Sequence, residues 1–218
     1  MKIPAKHFNP NDMTIFLHQN DLPADLPFGS SVAIDTETMG LNLTRDRLCL
    51  VQLSFGDGHA HLVQFGPDSD YAAPNLKRLL RDQSILKLFH FGRFDIASIE
   101  AYMGVTCTPV YCTKIASRLV RTFTDKHSLK ELCRDLLGVE LNKQQQSSDW
   151  GSPTLTEEQK TYAASDVLYL HRLKEKLDVI LAREDRTELA QACCDFLPTR
   201  AKLDLIGWPE IDIFAHNS

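Results

Sequence analysis

Residues 33 to 41 read AIDTETMGL. The apolar run SVAI delivers two carboxylates, Asp35 and Glu37, where it ends, and because a strand alternates its side chains both acids point to one face. Two like charges this close, partly withdrawn from water, repel one another, and a bound cation is the natural compensation. Oxygen ligands with little His or Cys beside them favour magnesium or manganese. A DxE pair alone is common on solvated loops, so its meaning depends on what else the chain brings to the same place.

Two further stretches bring acids of their own. HFGRFD (90–95) follows the apolar run ILKLF and sets Asp95 at the start of a helix, a second strand end that supplies a carboxylate. By itself an acid there also suits the helix dipole. YAASD (162–166) puts Tyr162 and Asp166 four apart on one helix face, among Ala163, Ala164, Val167 and Leu168, where an acid is costly unless paired or bound to metal.

The rest of the chain supplies the frame. Residues 12–19 read as a short helix, followed by a Pro-rich connection; SVAID, RLCLVQLSF and HAHLVQF read as strands, the last two joined as a hairpin through GDG. PNLKRLLRD predicts a helix, ILKLFHF a strand, Arg93–Met103 a helix stopped by Gly104, and VTCTPVY a short extended piece. Helices over Thr113–Val120 and Ser128–Leu137, a polar loop NKQQQSSDWGS, a long helix over about 157–182 and a last one to about Phe196 complete it. The reading is one mixed α/β domain with a sheet of about five strands.

Composition narrows the classes. With 218 residues, 43% hydrophobic and 24% charged, a sizeable hydrophobic core is expected. No apolar stretch approaches the ~20 residues that span a bilayer, and MKIPAKHFNPND lacks the apolar segment of a signal peptide, so the expectation is a cytoplasmic protein with no membrane partner. The six cysteines, at 49, 107, 112, 133, 193 and 194, show no zinc spacing and read as reduced thiols. The formal charge of −5 speaks against a nucleic-acid partner, yet residues 77–143 hold twelve basic against seven acidic side chains, a local surplus of five that suits phosphates. Neither GxSxG nor GxxxxGK[ST] occurs, which disfavours a serine hydrolase of that kind and a P-loop nucleotidase.

Taken in order, DxE, FD and YxxxD, with LNKQQQSSDWGSPTLTEEQKTYAASDVLYL around the last, resemble the exonuclease motifs of the DEDD superfamily, tyrosine variant, and more closely those of the ribonuclease D family. The histidine variant has His five residues before the final Asp, where this chain has Thr161. The resemblance implies a ribonuclease H-like fold, a five-stranded mixed sheet flanked by helices, over residues 30–197, with 1–29 as an N-terminal helix and connection and 198–218 as a tail. It implies 3'-5' hydrolysis of RNA with two divalent metal ions, Mg2+ or Mn2+. Asp35, Glu37, Asp95 and Asp166 would be the metal ligands, and Tyr162 would orient the attacking water.

It also makes Thr38, Met39, Gly40, Leu41, His90, Lys143 and Trp150 candidates for substrate contact, although loop packing for Leu41, a satisfied strand-end hydrogen bond for His90 and a loop anchor for Trp150 are equally open. Lys114, Arg118 and Arg121 repeat at helical spacing, as a basic stripe or a solvated face. The stretch after Phe196 does not read as an HRDC domain. That matches the small stand-alone members of the family, the nano-RNase C type, and so implies short single-stranded RNA as substrate and a homo-oligomer, an octameric ring. Trimming of structured RNA or of DNA, and a catalytically silent nucleic-acid-binding scaffold, stand as alternatives.

Overall fold

The computed structural model describes residues 13–141 and 147–216. Six strands, β1 (Thr14–Gln19), β2 (Ser31–Thr38), β3 (Leu48–Ser54), β4 (His59–Gln64), β5 (Leu86–Phe89) and β6 (Val110–Cys112), form one sheet in the order β1-β4-β3-β2-β5-β6. The central β4-β3-β2 pairings are antiparallel, and β1 on β4, β5 on β2 and β6 on β5 are parallel. Gly56 and Gly58 turn the chain between β3 and β4 at positive φ, which glycine adopts without steric penalty.

The sixth strand corrects the sequence reading. Residues 14–19, read as part of a short helix, extend along β4 from Thr14 beside His59 to Gln19 beside Gln64. The partner lies about 45 residues downstream, and as an edge strand β1 is half-solvated on both faces, so it lacks the clean period-2 pattern of a one-sided strand.

Helices α1 (Pro74–Arg81), α2 (Arg93–Met103), α3 (Thr113–Val120) and α4 (Leu129–Leu132), the last running on into a π turn over Cys133–Leu137, are followed by α5 (Glu157–Leu168), α6 (Leu170–Arg183) and α7 (Thr187–Leu205). The single helix expected over 157–182 is broken at buried Tyr169, which lets α5 lie over β2, β3 and β4 while α6 turns toward α3. The last helix passes its expected end at Phe196 and continues through Pro198, whose missing N–H would ordinarily stop it.

The alternation of β2 sorts the molecule into two layers. Val32 and Ile34 join Val51, Leu53, Leu76, Ile96 and Ile99 in a core under α1, α2 and α7. Ala33 faces the other way, into the core of α3, α5 and α6. By parity Thr36 belongs to the first face, and Asp35 and Glu37 to the second, under α5.

Candidate active site

At the end of β2 the pairing with β3 carries a bulge. Glu37 stands opposite Leu50 and Thr38 opposite Leu48, so Cys49 is the extra residue. Helix α5 crosses this end. It starts at a capping box between Thr156 and Gln159, which fixes its register, and four-residue spacing then aims Tyr162 and Asp166 at the sheet. The result is a cluster in which one carboxylate oxygen from each of Asp35, Glu37 and Asp166 lies within 4.8 Å of the others.

Asp95 comes from the opposite layer. Gly92 caps α2, and a Cβ there would meet the Phe89 Cβ at 2.5 Å, so the tight turn out of β5 depends on glycine. This turn brings Asp95 to Thr36, whose Oγ1 donates to Asp95 Oδ1 at 2.7 Å with both groups buried. Asp95 is not part of the 4.8 Å trio, and its field reaches it all the same.

The electrostatics are those of like charges forced together. Burial, then the charges of Asp95, Asp166 and Glu37, hold the Asp35 carboxyl well above the usual range. Burial with Asp166 and Asp95 pushes Glu37 to about 9. Asp95 stands at about 7, raised by burial and pulled back by the Thr36 bond. Burial and the charges of Asp166, Glu37 and Asp35 raise the Tyr162 phenol as well, so at neutral pH its hydroxyl keeps its proton. Several hard oxygen donors at one point, each raised by the others, fit a divalent cation.

Around the cluster the candidate contacts separate. Met39 and Leu41 are 52% and 87% exposed, apolar surface beside the acids. Their loop is pinned by Met39 N–H donating to Arg47 O, and by Arg47 donating to Phe65 O at 2.8 Å and Gly151 O at 3.2 Å. Met39 lies so close to Gly151 that a Cβ there would meet its sulfur at 2.2 Å. The Thr38 hydroxyl donates to Gly40 O, which holds the turn and leaves its lone pairs as acceptors.

Trp150, expected as a substrate contact or a loop anchor, is 4% exposed, packed in a core with Leu50, Leu62 and Ala163, its ring 5.9 Å from that of Tyr162. It supports the tyrosine from behind. His90 bonds Thr113 Oγ1 through Nδ1 at 2.9 Å, and Thr113 in turn donates to Phe89 O. Lys143 lies outside the described residues. The basic stripe divides: Arg121 is buried and paired with Asp135, whereas Lys114 and Arg118 line a cavity of about 170 Å³ with Phe91 and Arg93. Lys114 Nζ sits 4.3 Å over the Phe91 ring.

A mixed sheet clothed by helices, with an acid cluster where its central antiparallel strand ends, is the arrangement of the ribonuclease H-like exonuclease fold. The chain belongs to the 3'-5' exonuclease family, which residues 15–182 match. Ribonuclease D of Jannaschia sp. (strain CCS1) is 33% identical over 167 residues, covering 73% of this chain and 43% of that protein. The chain therefore spans less than half the length of that relative. NrnC of Brucella melitensis bound to pGG superposes with a TM-score of 0.91 at 57% identity, covering 94% of this chain and 100% of that one. The same Brucella protein with bound Mg2+ gives 0.90 at 56%, with the same coverage.

Sequence reasoning missed Thr36, Arg47 and Gln52. Gln52 Nε2 donates to Asp35 Oδ2 at 3.3 Å. Its signal was visible as an amide in the otherwise apolar run LCLVQL, whereas Thr36 was hidden because it faces the layer opposite its neighbours' acids.

Proposed function

We propose that this protein is a metal-dependent 3'-5' exoribonuclease that shortens small RNAs to mononucleotides. The observation that carries the reading is the Asp35–Glu37–Asp166 trio within 4.8 Å, with Tyr162 beside it and Asp95 in its field. Two divalent ions, Mg2+ or Mn2+, would supply activation of water and neutralise charge developing on phosphorus and on the departing oxygen. Asp35, Glu37 and Asp166 would hold the first, with Asp35 and Asp95 toward the second.

The chain's own side chains do the remaining work. Tyr162, protonated, hydrogen-bonded to Asp166 and packed against Trp150, would orient the attacking water through its hydroxyl. Met39 and Leu41 offer exposed apolar surface against which a terminal base packs. Lys114 and Arg118, which with Phe91 line the neighbouring recess, would offer cationic side chains to a phosphate of the same short strand, while Arg93 there is held by Asp204. The pGG bound by the Brucella protein supports a short substrate. The homo-oligomer belongs to the same proposal, supported by the apolar side chains of Ile206, Trp208, Ile211, Ile213 and Phe214, all exposed on the single chain.

The test is a length series of end-labelled RNAs, from two to about thirty nucleotides, with Mg2+ or with EDTA, run beside Tyr162→Phe. Expected are shortening from the 3' end, fastest for the shortest substrates, silence in EDTA, and a roughly 100-fold slower Tyr162→Phe. Equal rates at every length would remove the short-RNA preference. Binding without cleavage would leave a scaffold, and equal cleavage of DNA would remove the RNA preference.

A further inference from the structure

Strand β3 is buried along its whole length, and its interior is built from Leu, Cys and Val except at Gln52 and Ser54. Ser54 is accounted for within the hairpin, since its Oγ donates to His59 O at 2.8 Å. Gln52 is different. It is 0% exposed and lies directly across from Asp35 in the antiparallel register. Its Nε2 donates to Asp35 Oδ2, and its Oε1 is buried with no donor among the described residues.

A buried amide satisfied on only one side is unfavourable compared with an apolar side chain of the same volume. Its one side-chain partner among the described residues is Asp35, a carboxylate that would hold metal in the proposed mechanism. We infer that Gln52 is a positioning residue for Asp35: its N–H occupies Oδ2, sets the carboxylate plane, and turns the other oxygen toward Glu37 and Asp166.

The chemistry of the donor matters here. A Lys or Arg in this place would neutralise Asp35 and compete with a cation for it, whereas a neutral amide orients the carboxylate and leaves its charge available. When a cation is held by Asp35, the opposite amide orientation would set Oε1 against a carboxylate oxygen, two acceptors in contact, so the amide has to present Nε2 to it.

The inference rests on the metal-site reading, and Gln52→Met separates the two. Methionine keeps the length and fills the core without a donor. Mn2+ binding is measured by calorimetry on the wild type and the variant, together with the melting temperature and with kcat and KM on a short RNA. Expected is a melting temperature unchanged or raised, Mn2+ affinity weakened about 10- to 100-fold, and kcat lowered with little change in KM. Gln52→Leu repeats the measurement should the methionine variant not fold.

Wild-type Mn2+ affinity and kcat in a folded variant would overturn the role of Gln52 while leaving the metal site standing. A fall in melting temperature with unchanged Mn2+ affinity would assign Gln52 to packing and overturn it equally. A wild type that binds no Mn2+ would take down the metal reading and this inference together.

Discussion

The molecule buries ionisable groups in two neighbouring strands and treats them in opposite ways. Lys87 on β5, alongside Val32 of β2, is 0% exposed, and its Nζ donates to the carbonyls of Asp82 and Thr108, the latter at 2.8 Å. Burial lowers its pKa, yet the chain has wrapped the cation in its own acceptors. The acids gathered where β2 ends are met by an amide on Asp35, by a hydroxyl and backbone N–H groups on Asp95, and by each other's charge, and burial outweighs these donors, so Asp35, Glu37 and Asp95 are all raised. A buried charge that the backbone satisfies ties the fold together. Buried charges pooled with others of the same sign are held there by the fold against their own repulsion, which is the mark of a site completed by something else.

The contrast predicts opposite responses to neutralisation. Asp35→Asn should lower exonuclease activity about 1,000-fold or more while leaving the metal-free melting temperature unchanged or higher, because it removes one member of a repelling group. Activity and thermal melting on the same preparation check both halves. An Asp35→Asn protein that melts well below the wild type would place Asp35 among the groups that hold the fold, and the distinction from Lys87 would collapse.

A smaller effect follows from the raised carboxyls. A carboxyl whose folded pKa lies above its unfolded value of about 4 binds more protons when folded, so its contribution to stability is present at acid pH and is lost as pH rises through the folded value. With Glu37 at about 9 and Asp35 raised by the same causes, the metal-free protein should lose stability steadily from about pH 5 to pH 9. Mn2+ should restore little at pH 5 and most at pH 8. At 100 times its dissociation constant an ion adds about 2.7 kcal/mol, or roughly 5–10 °C for a chain of this size. Melting curves in EDTA and in Mn2+ that coincide at pH 8 would break the account.

These two regions were not equally legible in the sequence. The acids could be read because each follows from a local period: two along β2 for Asp35 and Glu37, four along α5 for Tyr162 and Asp166, and a strand-to-helix turn for Asp95. The hairpin at Gly56 to Gly58 and the stop of α2 at Gly104 are likewise local, set by conformations that glycine adopts freely. What escaped depends on partners distant in the chain. Strand β1 exists because β4 lies beside it, the break at Tyr169 because α5 and α6 pack against different neighbours, and the donors Thr36 and Gln52 because a turn and a register bring Asp95 and Asp35 to them. Lys87 is the one polar residue of the apolar run ILKLF. Nothing within that stretch announces the two carbonyls, from the turn after α1 and the turn before β6, that close over it.

That closure is the basis of the smallest effect. Replacing Lys87 by Met keeps the volume and removes the donor, so Thr108 O loses its ammonium partner, whereas Asp82 O still accepts from the Ile85 N–H at 3.3 Å. One carbonyl stranded in the interior costs about 1–3 kcal/mol, offset in part by the apolar replacement. The expected fall in melting temperature is roughly 2–8 °C, with kcat and Mn2+ affinity per folded molecule unchanged, since Lys87 is separated from Asp35 along paired strands and shares no hydrogen-bond partner with it. A Lys87→Met protein that keeps its stability but loses Mn2+ affinity would mean that the lysine's field reaches the acids, and that the two buried sites are one electrostatic system after all.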